Sequence, residues 1–240
     1  MPRATTSCPS GTYRELAIEG GFDFGGGDEA YERVDNITDA ALRDFQKRYD
    51  DPALTKDDIF HYTYGLLHSP EYRERFAADL KKSLPRVPKV RDFQGFAKAG
   101  RKLSDLHINY EQADPYGGIV ENVTGDSSGT PPRELYRVAK MKIPKAKGQS
   151  DRSTIVYNHR VTLTNIPDEA YRYQLGARSA IEWIIDRYQV KVDKASEITN
   201  DPNDWSDDPR YIIDLLKRIV TVSLETMKIV DSLPTLDILE

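Results

Sequence analysis

"TIVYNHRVTLTNIP", residues 154–167, decides the fold. Strand-forming residues flank Asn158, which tolerates left-handed geometry, so the stretch predicts a β-hairpin with its turn near Asn158. Just upstream, "RVAKMKI" (137–143) alternates. Ala139, Met141 and Ile143 fall on one face, and Val138, Lys140 and Lys142 on the other, which predicts a strand with a basic face. Between them "PKAKGQSDRS" reads as a basic, mobile connector carrying Lys145, Lys147 and Arg152. The periodic segments on either side are helical. The expected class is therefore α+β: a helical N-terminal portion, a small central β-sheet with a hairpin, and a helical C-terminal portion.

Helix starts are written locally. Thr38 can cap a helix carrying Ala41, Leu42, Phe45 and Tyr49. Thr55 can cap another, with Asp58 three residues on, that buries Ile59, Tyr62, Leu66 and Leu67 and ends at His68. Ser69 and Pro70 open a third, with Tyr72, Phe76, Ala77 and Leu80 as its stripe and Lys81 and Lys82 in its last turn. Lysines there complement the helix dipole and need no ligand. That reasoning leaves out Arg86, Lys89 and Arg91, which lie past the helix in a loop stiffened by Pro85 and Pro88. Residues 92–107 predict a helix with Lys98, Arg101 and Lys102 outward. "GDSSGTPP" from Gly125 is a loop. "RSAIEWIIDRYQ" puts Ile181, Ile184, Ile185 and Tyr188 on one stripe. The acidic "NDPND" reads as a turn cluster capping the last helix, which Asp208 and Pro209 open and which carries Ile212, Leu216, Ile219 and Val220. The division expected is a flexible leader or linker over 1–35, a helical part over 36–120, and a hairpin, sheet and C-terminal helices over 121–240.

The 240 residues are ample for a core, and 38% hydrophobic with 30% charged suits a folded domain with a polar surface. Fourteen tyrosines against seven phenylalanines favour half-buried positions where a ring packs and its tip stays polar. The lone Cys8 rules out a disulfide framework and fits a reducing compartment. No apolar run reaches the roughly 18 residues of a membrane span, so a cytoplasmic location is expected. Net charge is −5, yet it is segregated. Residues 71–102 hold ten bases and four acids, and residues 133–152 hold seven and two, between acidic ends. Such asymmetry in an acidic chain points to a polyanion-binding face.

Motifs for chemistry are sparse. The glycines of "GGFDFGGGDEA" lack the GK[ST] of a phosphate loop, and there is no G-x-S-x-G, no C-x-x-C and no methyltransferase motif. Four histidines on unrelated elements make no zinc set, and no metal site is expected. Asp168 followed by Gln189 and Lys191 mimics a Mg²⁺ nuclease pattern, but Asp168 starts a turn and Gln189 follows a helix. Catalytic residues are therefore expected to be absent.

Longer stretches carry a resemblance. "NITDAALRDFQKRY" (36–49), "DDIFHYTYGLLHSPEYRERFAADLKKSLPRVP" (57–88), "AGRKLSDLHINYE" (99–111), "RSAIEWIIDRYQVKVDKAS" (178–196), "NDPNDW" (200–205) and "DPRYIIDLLKRIVTVS" (208–223) resemble the C-terminal target-recognition, or specificity, domain of type ISP single-polypeptide restriction–modification enzymes. The similarity runs from about Asn36 to Leu233. One departure is Glu197, where that family would place glycine in a turn. The resemblance implies reading of a double-stranded DNA target beside a methyltransferase domain. The family's nuclease, translocase and methyltransferase, with their S-adenosylmethionine, ATP and Mg²⁺, would lie upstream, leaving no cofactor in this chain. Phosphate contacts are then expected from Lys81, Lys82, Arg86, Lys89, Arg91, Lys98, Arg101 and Lys102. Base contacts are expected from Lys140, Lys142, Lys145, Lys147, Arg152, Tyr157, Asn158, His159 and Arg160. The alternatives are a docking module that uses the helix near 209–230 and exposed tyrosines, and the Mg²⁺ nuclease.

Overall fold

A computed structural model of the chain describes residues 11–15, 31–125, 128–146 and 148–239, with 11–15 and 31–33 confined to the backbone. The chain divides into two compact units, Met1–Ser104 with Leu233–Glu240, and Asp105–Ser232. The sequence boundary near residue 120 thus lies inside the second unit. Each is mixed α+β or helical with short antiparallel ladders, as the periodicities predict.

In the first unit β1 (Gly11–Glu15) pairs antiparallel with β2 (Tyr31–Asp35), so part of the expected leader forms a ladder. Helix α1 (Asp39–Tyr49) starts where Thr38 accepts from the Ala41 N–H. Helix α2 (Lys56–His68) starts at a capping box between Thr55 and Asp58. Ser69 caps α3 (Pro70–Arg75). The expected helix through Lys82 is broken at Phe76, after which α4 (Ala77–Leu80) makes one further turn. The break lets the Phe76 ring pack 4.9 Å from Tyr72 and takes Arg75 over its other side. Lys81 and Lys82 therefore follow a four-residue helix, and the dipole argument for them falls away.

Helix α5 (Phe93–Ile108) supplies Phe93, Phe96 and Ala97 to a core with Phe45, Ile59, Tyr62, Leu66 and Tyr72. Close helix approach is written in two glycines. A Cβ on Gly100 would lie 1.8 Å from the His61 carbonyl oxygen, and one on Gly65 2.3 Å from that of Phe96. Only hydrogen fits between α2 and α5 at these points.

In the second unit β3 (Val120–Val123), which the sequence reading did not anticipate, is followed by the short α6 (Pro132–Leu135). The connector is a tight ladder of β4 (Lys145–Ala146) and β5 (Gln149–Ser150), turning through Gly148 at φ 86°. The predicted hairpin is present as β6 (Ile155–Val156) and β7 (Val161–Thr164), and β7 is central in the order β3-β7-β6. Asn158 makes the turn with its side chain, since Oδ1 accepts from the N–H groups of Arg160 and Val161 at 2.8 and 2.7 Å. Asn158 itself is not left-handed; Asn165, just past β7, is, at φ 65°.

"RVAKMKI" is extended but is not a strand. Lys142 alone bridges to Val156, Val138 and Met141 are buried, and Ala139 is exposed, so the expected faces do not form. The cause is a clamp. Asn203 receives the Val138 N–H at 2.9 Å and donates to its carbonyl at 2.8 Å. The acidic "NDPND" turn thus positions this segment. Asp208 does not cap the last helix as expected: its Oδ1 accepts from the N–H of Arg210, the residue before the helix, and no side chain caps the helix itself.

Two further short ladders follow, β8 (Gln174–Leu175) with β9 (Arg178–Ser179), and β10 (Lys191–Val192) with β11 (Thr199–Asn200). Between them α7 (Ala180–Arg187) begins at a Ser179–Glu182 capping box. Helix α8 (Tyr211–Asp231) buries Ile212, Ile213, Leu215, Leu216, Ile219, Val220 and Val222. With Tyr157, Ile155, Val161, Leu163 and Ile181 they form this unit's core. Among the described residues no helix is long and apolar enough to cross a membrane.

Candidate nucleic-acid interface

The basic loop of the first unit is an extended segment held along both edges. Three buried or half-buried tyrosine hydroxyls donate to alternate carbonyls: Tyr72 to Arg86 at 2.7 Å, Tyr62 to Pro88 at 2.5 Å, and Tyr49 to Val90 at 2.8 Å. On the other edge the chain's C-terminal segment pairs. The Arg91 N–H donates to the Asp237 carbonyl and the Leu239 N–H to that of Lys89, both at 2.8 Å. Alternation of carbonyls along an extended chain is what allows both edges to be used at once. Burial raises the tyrosine pKa values, so the hydroxyls remain donors. The ladder uses three of the fourteen tyrosines, whose place the composition could not show.

The cations in and near this loop differ in availability. Lys81, Lys82 and Arg86 are exposed and form no ion pair with a described residue; Lys98 and Lys102, exposed on α5, likewise form none. Lys89 is tied to Asp44 at 2.5 Å and lies over the Phe45 ring at 5.4 Å. Arg91 pairs with Asp237 at 2.5 Å and Arg101 with Asp58 at 3.1 Å. Arg91 and Arg101 remain half exposed or more, and such surface pairs contribute little.

The second cluster lies in the second unit. Lys140, Lys142, Lys145 and His159 are exposed, and Arg152 lies over the Tyr171 ring at 5.2 Å. Lys147 lies outside the described residues. Arg160 is half-buried and donates to Thr130 Oγ1 at 2.8 Å. Two expected base readers are used inside the fold. Tyr157 is buried, with its hydroxyl given to the Tyr136 carbonyl. Asn158 donates to the carbonyls of Leu135 and Arg137 while its oxygen holds the turn. Their polar groups are committed, so they shape the hairpin, beside which Lys142 bridges to Val156.

The same unit holds a charge network. Glu121 accepts from Arg210 at 2.6 and 3.3 Å and from Lys217. Arg210 also donates to Asp214 at 3.1 Å and stacks over Tyr136 at 4.6 Å. Burial pushes the Glu121 carboxyl up, but the hydrogen bonds and charges of Arg210 and Lys217 outweigh it and hold it below the usual range. Strand β3, the start of α8 and Tyr136 are thereby locked together.

The nuclease constellation does not assemble. Gln189 and Lys191 both donate to the Asp186 carbonyl, and Asp168 opens a 3-10 turn. Among the described residues no group of three or more His, Cys, Asp or Glu side chains could hold a metal ion. The apolar stripe expected for docking on the last helix is mostly inside the core. A largely apolar groove of about 300 Å³ is lined by the half-buried rings of His107, Tyr110, Tyr173, Trp183 and Tyr188.

The family model of the type ISP C-terminal specificity domain matches residues 6–215. The ATP-dependent type ISP restriction-modification enzyme LlaBIII, solved bound to DNA, is similar with a TM-score of 0.79 and 39% identity, over 96% of this chain and 14% of its own. A nuclease-deletion mutant of the type ISP enzyme LlaGI, in complex with a DNA substrate mimic, gives 0.70 and 44% over 87% of this chain and 17% of its own. DrdV, in a complex with DNA, gives 0.74 and 35% over 87% and 21%. The chain thus spans about a fifth or less of the lengths of these proteins. No curated protein sequence matches it. With the family model covering most of its length, the chain belongs to the type ISP C-terminal specificity domains.

Proposed function

We propose that this chain recognises a double-stranded DNA target as the specificity module of a restriction–modification enzyme. The observation that carries the reading is the pinned loop of Lys81, Lys82 and Arg86, cations with no carboxylate partner among the described residues on a backbone fixed before any ligand arrives. Prefixed cations neutralise phosphates without ordering a loop on binding. The DNA complexes of the similar enzymes support the same partner. In this reading Lys81, Lys82, Arg86, Lys98 and Lys102 set register on phosphates, with Arg91 and Arg101 exchanging their carboxylates for phosphate. Lys140, Lys142, Lys145, Arg152, His159 and Arg160 face the base edges. The module takes no cofactor and performs no catalysis itself. It works beside a methyltransferase domain of the same or a cognate polypeptide.

The test is binding to random-sequence duplexes across a salt series. Specific binding weakens steeply as salt rises, because each neutralised phosphate releases counterion. Arg86→Glu and Lys140→Glu each reduce affinity at moderate salt. Binding that is indifferent to salt and to both substitutions overturns the proposal.

A further inference from the structure

We propose that Leu84 is an apolar wedge that enters the DNA duplex at a base-pair step; this rests on the DNA reading above. Leu84 is 87% exposed, more than any other large hydrophobic residue described. A single exposed leucine is ordinary. Three features set this one apart. Lys81, Lys82 and Arg86 lie within three residues of it and have no ion-pair partner among the described residues. The backbone on both sides is anchored: the N–H groups of Lys82 and Ser83 bond to the Asp79 carbonyl at 2.9 Å, and Tyr72 holds the Arg86 carbonyl. Pro85 fixes the dihedral between these anchors.

The chain therefore presents a leucine on a short, stiff span flanked by positive charge. Cations on either side grip the two phosphate backbones, and the residue between them meets the base pairs. Leucine is among the side chains that part base steps in DNA-bending proteins, where new contacts offset the unstacking cost. Burying an apolar side chain of this size against bases returns the area left in water in the free chain. Leu84 has apolar neighbours in Phe76, Leu80 and Pro85, and it is Lys81, Lys82 and Arg86, unpaired among the described residues, that favour a polyanion over a protein partner.

The full chain is mixed with random-sequence duplexes at low and moderate salt, and the bound DNA is treated with permanganate, which oxidises unstacked thymines. Wild type yields bound duplexes with reactive thymines. Leu84→Ala binds about tenfold more weakly, keeps the same salt dependence and loses the thymine reactivity, while Leu84→Met retains both. Lys81→Ala flattens the salt dependence by about 0.9 of a logarithmic unit per unit of log salt and keeps the reactivity. Wild-type binding without reactive thymines, or unchanged affinity and reactivity in Leu84→Ala, overturns the wedge and leaves DNA binding standing. A change in sedimentation of Leu84→Ala with unaltered DNA binding also overturns it and assigns the leucine to a protein contact. Absence of salt-dependent binding by wild type overturns both readings.

Discussion

Replacing Tyr72 by Phe removes one hydroxyl from the tyrosine ladder and no charge. The ring stays in the core beside Phe76, so packing is preserved. The Arg86 carbonyl loses its donor but sits in an exposed stretch where water can replace it, which keeps the stability loss to about 0.5–1.5 kcal/mol. The larger effect is on order. With the hydroxyl, the span between the Asp79 anchor and Arg86 is two residues; without it, the next anchor is Tyr62 on Pro88, and Arg86 and Val87 are released as well. Fixing a residue costs roughly 1–2 kcal/mol, and Pro88 already restricts Val87, one of the two released residues, which about halves the sum. Rebinding then costs about 1–2 kcal/mol more, roughly a five- to thirtyfold loss of duplex affinity with an unchanged salt slope. Tyr171→Phe is the control. Its hydroxyl is buried with no partner among the described residues, so its removal leaves urea stability unchanged or raised. The assays are urea unfolding and fluorescence anisotropy with a labelled duplex. Wild-type stability and wild-type affinity in Tyr72→Phe would refute the ladder as a preorganising device.

Glu121→Gln removes the negative charge that Arg210 and Lys217 face and turns one acceptor oxygen into an NH2 group, at a side chain 18% exposed, and costs about 2–3 kcal/mol in urea unfolding. Because the folded carboxyl titrates below its unfolded value, its contribution is present above the unfolded pKa near 4 and is lost as pH falls through the folded one. Stability of the variant should accordingly fall less steeply than wild type on acidification, and parallel profiles would contradict the assignment. Gly100→Ala forces a Cβ against the His61 carbonyl and costs about 3 kcal/mol, read as a lower urea midpoint; an unchanged midpoint would show that the helices separate freely. Glu197→Gly relieves a left-handed residue at φ 58° and raises stability by about 0.5–1 kcal/mol, with thermal unfolding as the readout and a lowered midpoint as the contrary result.

What could be read from the sequence was what local chemistry determines. Thr38, Thr55 and Ser69 cap helices through bonds spanning three residues, so the starts of α1, α2 and α3 were visible without any partner. Strand β3 was not, because Val120–Val123 is a strand only through pairing with Val161–Thr164, forty residues on. The alternation of "RVAKMKI" misled for a related reason. Its burial is set by Asn203, a clamp more than sixty residues away. The site follows the same division. Lysines and arginines announce themselves in the sequence, but Asp44, Asp58 and Asp237, which pair with Lys89, Arg101 and Arg91, come from remote positions. Likewise Tyr49, Tyr62 and Tyr72 sit on three different helices, and nothing in their spacing shows that they converge on carbonyls 86, 88 and 90. Charge counting therefore finds where a polyanion could be held, while the tertiary pairing of each cation decides which side chains hold it. In the first unit that pairing leaves five of the eight candidates without a carboxylate among the described residues, and the tyrosine ladder fixes the backbone from Arg86 to Val90 in advance.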